Sequence, residues 1–573
     1  MRIQLRGAPA TPEQQEKNNA NNNYWVVSGV LTVLLVYAYL FSNAPVYFDI
    51  PSPQDVLGKF DIQIKNLFKN VRDLGCSLHI QHTSLFGAKD ERLVLFAVIL
   101  LAFLSGYFLP IKYKKAAFVL WFLLGFGFLY GLATTLIFLA AHLTIYLSLH
   151  YQNKNIFAVR ETLSLVIFGV LYLSLDLQMG MLLLVSIGVA GLSLLILQFV
   201  LDPIVRKKNK WVGLFQTLII QTPILFAALG AISEGLTQYE WTVPVGIIFL
   251  FWQWERLIIY YVDFRGNGIP DDISVIEYLS IFMSPATISN NRYAPYVGQG
   301  YSYLAGCFYS LDKNRIIING VKLISIALFY FLFNQWFLKG VRLFIHSQFG
   351  ITVYEYSYQV VRQYVAGESI STATVLITTF LDQVRVFLIY GAVTHFRVGT
   401  WRLLGYNMDP QYNKPWKATN LVSLWSRFAF HYREFLVRAF YYPVFFRFFK
   451  KRPYLRTFTA TMIATAIGNL LWGHIPDHLY YRGVTWDYLI LLLRGWPYYI
   501  LLGLGISLTQ LYLMKRKRKR RPWTWDRYFA RDILFSFLTF QFFSLIHIFS
   551  RTTVDSTLAD HAKLFLIGLG IHL

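Results

Sequence analysis

The chain has 573 residues, of which 55% are hydrophobic and 14% charged, with a mean hydropathy of +0.44, whereas an ordinary soluble domain carries about 25% charged residues. These figures exclude a typical soluble enzyme and point to lipid as the surrounding solvent. The formal net charge of +23 would suggest nucleic acid as a partner of a soluble protein, but in a membrane protein it suggests basic cytoplasmic loops.

In chain order, residues 1–23 are polar, include Asn18, Asn19, Asn21, Asn22 and Asn23, and are expected to be disordered. The apolar run Tyr24 to Phe41 is long enough to span and has no small-residue cleavage site after it, so it reads as a first transmembrane helix rather than a signal peptide. A mixed-charge outer loop follows over 42–92. Further spans are predicted near 93–110, 116–133, 134–149, 161–178, 182–200, 211–232 and 242–262. A second series falls near 319–338, 371–392, 457–472, 485–512 and 530–549. The expectation is an all-α integral membrane protein, a polytopic bundle of about 11–13 spans. The stretch after His561 is too short to span.

The clusters Lys112, Lys114, Lys115; Arg206, Lys207, Lys208, Lys210; and Lys515 through Arg521 share one side if the helices alternate from a cytoplasmic N-terminus. Glu234 and Glu240 then fall outside. The pattern divides the chain into a polar N-terminus (1–23), an N-terminal group of spans (24–262), a core region (263–512), and a basic loop with the last span and tail (513–573). Two connections, 263–318 and 393–456, are long for a bundle; such segments form re-entrant or interfacial helices, because irregular backbone at membrane depth persists only inside protein or along a cavity.

Two stretches could carry chemistry. In Leu424 to Pro443, LWSRFAFHYREFLVRAFYYP, a continuous helix places Arg427, His431, Glu434 and Arg438 on one polar stripe. An imidazole held by Glu434 could serve as a general base; an interfacial amphipathic helix with Glu434 paired to Arg438 accounts for the same spacing. In Leu471 to Tyr481, LWGHIPDHLYY, His474 and His478 stand four apart with Asp477 between them, beside an apolar span. His474 could take a proton from an acceptor hydroxyl, or these histidines could simply face headgroups. A metal at His474, Asp477 and His478 lacks an evident third strong ligand. His142, His346, His395 and His547 are expected to be packing histidines. Cys76 and Cys307 form no metal-type spacing, and Walker and HxxxxD motifs are absent.

The stretch from Phe380 to Pro443 resembles the membrane-bound O-acyltransferase (MBOAT) family, in particular its bacterial branch that acylates envelope polymers. The family shows a GLGRLLGF-like segment, an asparagine-proline stretch, and a helix like FWRRWHITLSSFLRDYVYIPL. Here the matching residues are Gly399 to Tyr406 (GTWRLLGY), then Asn413, Lys414 and Pro415, then LWSRFAFHYREFLVRAFYYP. About thirty residues on, where the family places GLWHG, the chain has Asn469, Leu470, Leu471, Trp472, Gly473 and His474. Ser284, Pro285 and Ala286 resemble its glycine-proline loop. Trp425 and Arg427 fall on the family's tryptophan and arginine. Counting without gaps, its first active-site position falls on Ala429, two residues before His431, and its histidine falls on Gly473, one before His474.

The resemblance implies an O-acyltransferase of the bacterial inner membrane that moves an acyl group from a cytoplasmic thioester, acyl-CoA or acyl carrier protein, to a hydroxyl of an envelope polymer or lipid. His474 would be the base, aided by Asp477 or His478; His431 with Glu434 would orient the donor, and Arg427, Arg438 and Trp425 would help bind it. No bound cofactor, metal or nucleic acid is expected, and envelope-complex partners are. The displaced positions leave a second reading, an inactive relative serving polymer export or assembly. A third, a polyprenyl-phosphate glycosyltransferase, rests on Asp49, Asp55, Asp61, Asp90 and Glu91.

Overall fold

The computed structural model describes residues 11–43, 89–130, 135, 139, 142–143, 146, 259–260, 263, 268–270, 272–288, 300–470, 486–516, 529–551 and 555–572. The spans predicted at 161–178, 182–200 and 211–232 lie outside these residues, as do most of the residues of those at 134–149 and 242–262. Among the described residues the regular structure is helical, and the single pairing of extended backbone is an isolated antiparallel bridge between Phe308 and Tyr406. Four helical stretches are long and apolar enough to cross a membrane: Lys313–Phe349, Thr372–Leu403, Arg494–Lys515 and Phe529–Ser550. The chain divides into two compact units, residues 1–328 with 395–409, and 329–394 with 410–573.

The first unit contains α1 (Pro12–Asn19), α2 (Tyr24–Asn43), α3 (Lys89–Phe108), α4 (Ile111–Tyr130), α5 (Val275–Phe282) and α6 (Tyr301–Cys307). The predicted disorder of the N-terminus is corrected from residue 11 onward. Thr11 caps α1 by accepting a hydrogen bond from the Gln14 amide, and Pro12 opens its first turn. In its last turn Asn18 donates to the Tyr309 carbonyl at 2.7 Å and Asn19 accepts from Lys114 at 2.6 Å, and just beyond it Asn22 accepts from Lys313 at 2.6 Å. The tract is polar because its partners are buried polar groups. After α6 the backbone turns through Tyr309 at φ 46 and crosses Gly405 at φ 88, where a Cβ would stand 2.3 Å from the Tyr309 ring. Glycine is thus required at 405 by both conformation and space.

The second unit draws on α7 (Lys313–Phe349) from residue 329 and on α9 (Thr372–Leu403) up to residue 394. It adds α8 (Ser357–Val365), α10 (Leu421–Phe428), α11 (Phe430–Leu436), α12 (Tyr442–Arg447), α13 (Pro453–Met462), α14 (Trp486–Arg516), α15 (Phe529–Ile546) and α16 (Leu558–Gly568). At 37 residues α7 is about 55 Å long, well over the ~30 Å hydrocarbon thickness. The predicted span 319–338 is therefore its apolar middle. The connection 410–447 folds back into the unit: Tyr412, Leu421 and Leu424 are buried with Phe387 of α9, Leu502 and Ile506 of α14, and Phe540 and Phe543 of α15. The connection therefore contributes apolar side chains to the core of the unit.

Candidate active site

The predicted continuous helix over 424–443 is corrected: it is broken. α10 starts from an Asn420 cap, whose side chain accepts the Ser423 amide at 2.9 Å, and ends at Phe428. Ala429, at φ −147 and ψ 66, separates it from α11. A break orphans backbone donors and acceptors, and the loop 411–413 supplies their partners. The Arg427 carbonyl accepts from the Asn413 amide at 2.9 Å, the Phe430 amide donates to the Gln411 carbonyl at 3.0 Å, and the His431 amide donates to Gln411 Oε1 at 2.6 Å. The break therefore removes Arg427 from the stripe it was expected to share with His431, Glu434 and Arg438.

His431 is fully buried at the start of α11, its ring edge-on to Phe430 with centroids 5.1 Å apart. Glu434 is engaged by the neighbouring Arg433, whose guanidinium lies over the Phe430 ring. Arg427 donates to the Asn413 carbonyl at 3.1 Å. It thus ties α10 to the loop that caps α11. Trp425 is partly buried against the apolar core, and Arg438 is half-buried in a π-helical turn, Val437–Tyr441, that continues α11.

A second π-helical turn, Ile463–Gly468, continues α13 and packs on the first. The contact runs through Gly468, where a Cβ would lie 2.9 Å from Leu436 Cδ2 and 3.2 Å from the Phe440 ring. A π turn widens the helix and leaves backbone carbonyls to find other donors; the indole Nε1 of Trp496 donates to the Ala466 carbonyl at 3.1 Å. α14 approaches so closely that a Cβ on Gly503 would meet Thr465 Oγ1 at 2.4 Å. Asn469, buried, donates to the Thr465 carbonyl at 2.8 Å. The description stops at Leu470, so His474, Asp477 and His478 lie outside the described residues. The structure brings the His431 helix against the turn that leads into their segment.

Three polar constellations in the same unit carry no local signal in the sequence. Tyr498 lies 2.9 Å from His547 Nε2, and His547 Nδ1 lies 3.0 Å from Ser550 Oγ. The Ser550 hydroxyl donates to the His547 carbonyl, so its oxygen is left to accept Nδ1–H and Nε2 to accept the phenol. Ser556 Oγ lies 2.9 Å from His561 Nε2, whose Nδ1 is 2.8 Å from the Ile548 carbonyl. Burial lowers the His561 pKa below the ordinary imidazole value, which favours this neutral pairing. Asp382, 2% exposed, accepts from Ser357 Oγ at 2.6 Å and from Arg385 at 2.6 Å, with Arg551 at 3.6 Å. His142 and His395 are buried and His547 is partly buried, in keeping with a packing role, while His346 is exposed. Among the described residues no group of three His, Cys, Asp or Glu could hold a metal ion.

No family profile and no curated protein sequence matches the chain.

Proposed function

We propose that this protein is a membrane-embedded O-acyltransferase, transferring an acyl group from a cytoplasmic thioester to a hydroxyl of an envelope polymer or lipid. One observation carries the reading: a helix interrupted inside an apolar bundle, with His431 buried beside the break and the interrupting backbone fully capped by a loop. Discontinuous helices at membrane depth persist where they are buried in protein or line a cavity, and substrate sites are commonly built on them, which supports this reading. The four apolar helices support a membrane location, and the resemblance extends this to a bundle of about 11–13 spans in a bacterial inner membrane with a cytoplasmic N-terminus.

In this reading His474 removes the acceptor's proton, with Asp477 or His478 orienting it. His431 positions the thioester carbonyl, and Glu434 holds Arg433 off that face. Trp425, Arg427 and Arg438 line the approach of an anionic donor, in a region where twelve basic residues face two acidic ones between 393 and 456. The chemistry needs no metal: the hydroxyl oxygen attacks the thioester carbon, the thiol leaves, and the proton passes through His474.

The test is purified protein in liposomes with labelled acyl-CoA or acyl carrier protein, and mass spectrometry of envelope polymers with and without the gene. Replacing His474 with Ala should lower transfer by about 10²–10⁴, the usual contribution of a general base; retained transfer sinks the assignment. An unchanged acyl pattern with polymer missing favours the export reading, and a missing sugar favours glycosyl transfer.

A further inference from the structure

The first unit buries two lysines without a carboxylate partner. Lys114, in the first turn of α4, is 0% exposed and Lys313, at the start of α7, is 1% exposed. Lys114 Nζ donates to Asn19 Oδ1 and to the Tyr309 hydroxyl, each at 2.6 Å, and rests 4.1 Å from the Tyr309 ring centroid. Lys313 Nζ donates to Asn22 Oδ1 at 2.6 Å and to the Tyr107 carbonyl at 3.2 Å. Lys313 is near enough to disfavour the charge on Lys114. Every hydrogen-bond acceptor around them is neutral. The neighbouring Lys115, by contrast, has a carboxylate, Glu277 at 2.5 Å. A buried lysine is ordinarily paired with an anion in direct contact; here the direct hydrogen bonds go to amides, a phenol and a backbone carbonyl, and Glu16 and Asp312 act on the two lysines only through space.

The acceptors that face the lysines from outside come from one segment. α1 is eight residues long with no buried residue, and an isolated helix of that length is not stable by itself. It and the following asparagines are held by Gln15 on the Phe308 carbonyl, Asn18 on the Tyr309 carbonyl, Asn19, Asn22, and the Asn21 carbonyl on Asn314. These are polar contacts that water or another acceptor can replace. Beneath them Tyr309 is held in the left-handed region at φ 46, a conformation that a non-glycine residue keeps only when its surroundings enforce it.

We propose that Lys114 and Lys313 form an anion site for a phosphate group, with residues 11–23 as its exchangeable plug: phosphate oxygens displace the Asn19 and Asn22 amides and release the segment. Two lysine amino groups side by side, of which an arriving anion would favour protonation of Lys114, suit a doubly charged group better than a single carboxylate. The group comes either from a soluble phosphate compound or from a lipid headgroup, since both present the same oxygens.

The full-length protein in phosphatidylcholine nanodiscs, digested briefly with trypsin, reads the plug directly, because Lys17 lies in α1 and cleavage after it requires α1 to open. Proteolysis then follows the open population. Millimolar pyrophosphate should speed cleavage at Lys17 by about tenfold, and chloride at matched ionic strength should not. Nanodiscs containing phosphatidylglycerol, without soluble phosphate, test the headgroup source. Asn19→Asp with Asn22→Asp supplies the missing carboxylates without changing side-chain size, so it should slow cleavage and abolish the response. Lys114→Met with Lys313→Met should abolish it too, whatever its starting rate. Acceleration by pyrophosphate alone assigns the site to a soluble phosphate, and acceleration confined to phosphatidylglycerol assigns it to lipid. No acceleration in either, equal acceleration by chloride, or an undiminished response in the Asn→Asp variant overturns the proposal.

Discussion

Gln411 caps the helix that His431 begins: its side-chain oxygen takes the His431 amide at 2.6 Å, and its own carbonyl takes the preceding amide, from Phe430, at 3.0 Å. A residue twenty positions upstream thus does what a cap residue adjacent to a helix usually does. Gln411→Met keeps the volume and removes the acceptor, leaving a buried amide without a partner. The expected loss is about 1–3 kcal/mol, read as a lower unfolding temperature. Acyl transfer should fall more than the folded fraction does, because the His431 backbone is set by this contact.

Asp382 concentrates the ionic interactions of the second unit, with Arg385 and Arg551 on its two oxygens and both hydrogen-bond donors of Ser357 on one of them. Replacing it with Asn leaves two arginines facing a neutral group in an apolar setting. Removing one partner from a buried pair costs about 3–5 kcal/mol. Thermal unfolding of Asp382→Asn should show that loss, and replacing Arg385 with Met in the same protein should recover part of it.

Burial pushes the pKa of Lys114 down to about 6, with Lys313 adding to the effect and Glu16 opposing it. The unfolded chain, with an ordinary lysine, binds more protons than the folded one between about pH 6 and 10.4, so stability rises with pH across that window. Its slope is limited to about 1.4 kcal/mol per pH unit for one group. The groups facing Lys114 are Glu16, Lys313 and the Tyr309 phenol, whose pKa burial raises. Unfolding of the wild type followed from pH 6.5 to 9 should show the rise, and Lys114→Met should flatten it; a parallel slope in the variant excludes Lys114 as the source.

Gly468→Ala drives a methyl group into Leu436 and Phe440, at 2.9 and 3.2 Å, and separates the two π turns. Overpacking of this kind costs about 1–3 kcal/mol. The same substitution should depress transfer with little change in the apparent affinity for the thioester, as measured by initial rates over donor concentration.

The apolar middles of the long helices were legible because hydropathy follows the burial of side chains in lipid or protein. Their ends were not: α7 continues past its predicted limits through Lys313 on one side and Arg342 on the other, residues that hydropathy discounts. The break at Ala429 was invisible locally. Alanine is the best helix former, and no glycine or proline stands between Leu424 and Tyr442. The interruption is imposed from a distance by Gln411 and Asn413. The N-terminal asparagines misled for a similar reason, since their partners Lys114, Tyr309 and Lys313 lie about a hundred to three hundred residues away. His431 stands out in the sequence by its spacing from Arg427, Glu434 and Arg438, whereas the Tyr498–His547 and Ser556–His561 pairs join residues whose proximity only the packed helices create.

The π turn at Ile463–Gly468 also changes how motifs are counted. It accommodates one more residue than the α-helical turn it replaces, so Leu470 occupies the angular place of residue 469 in an uninterrupted helix, about 100° of rotation. Deleting one residue within 463–468 should therefore return the turn to α-helical form and leave Leu470 at its present angular place, because the extra residue is absorbed within the turn itself.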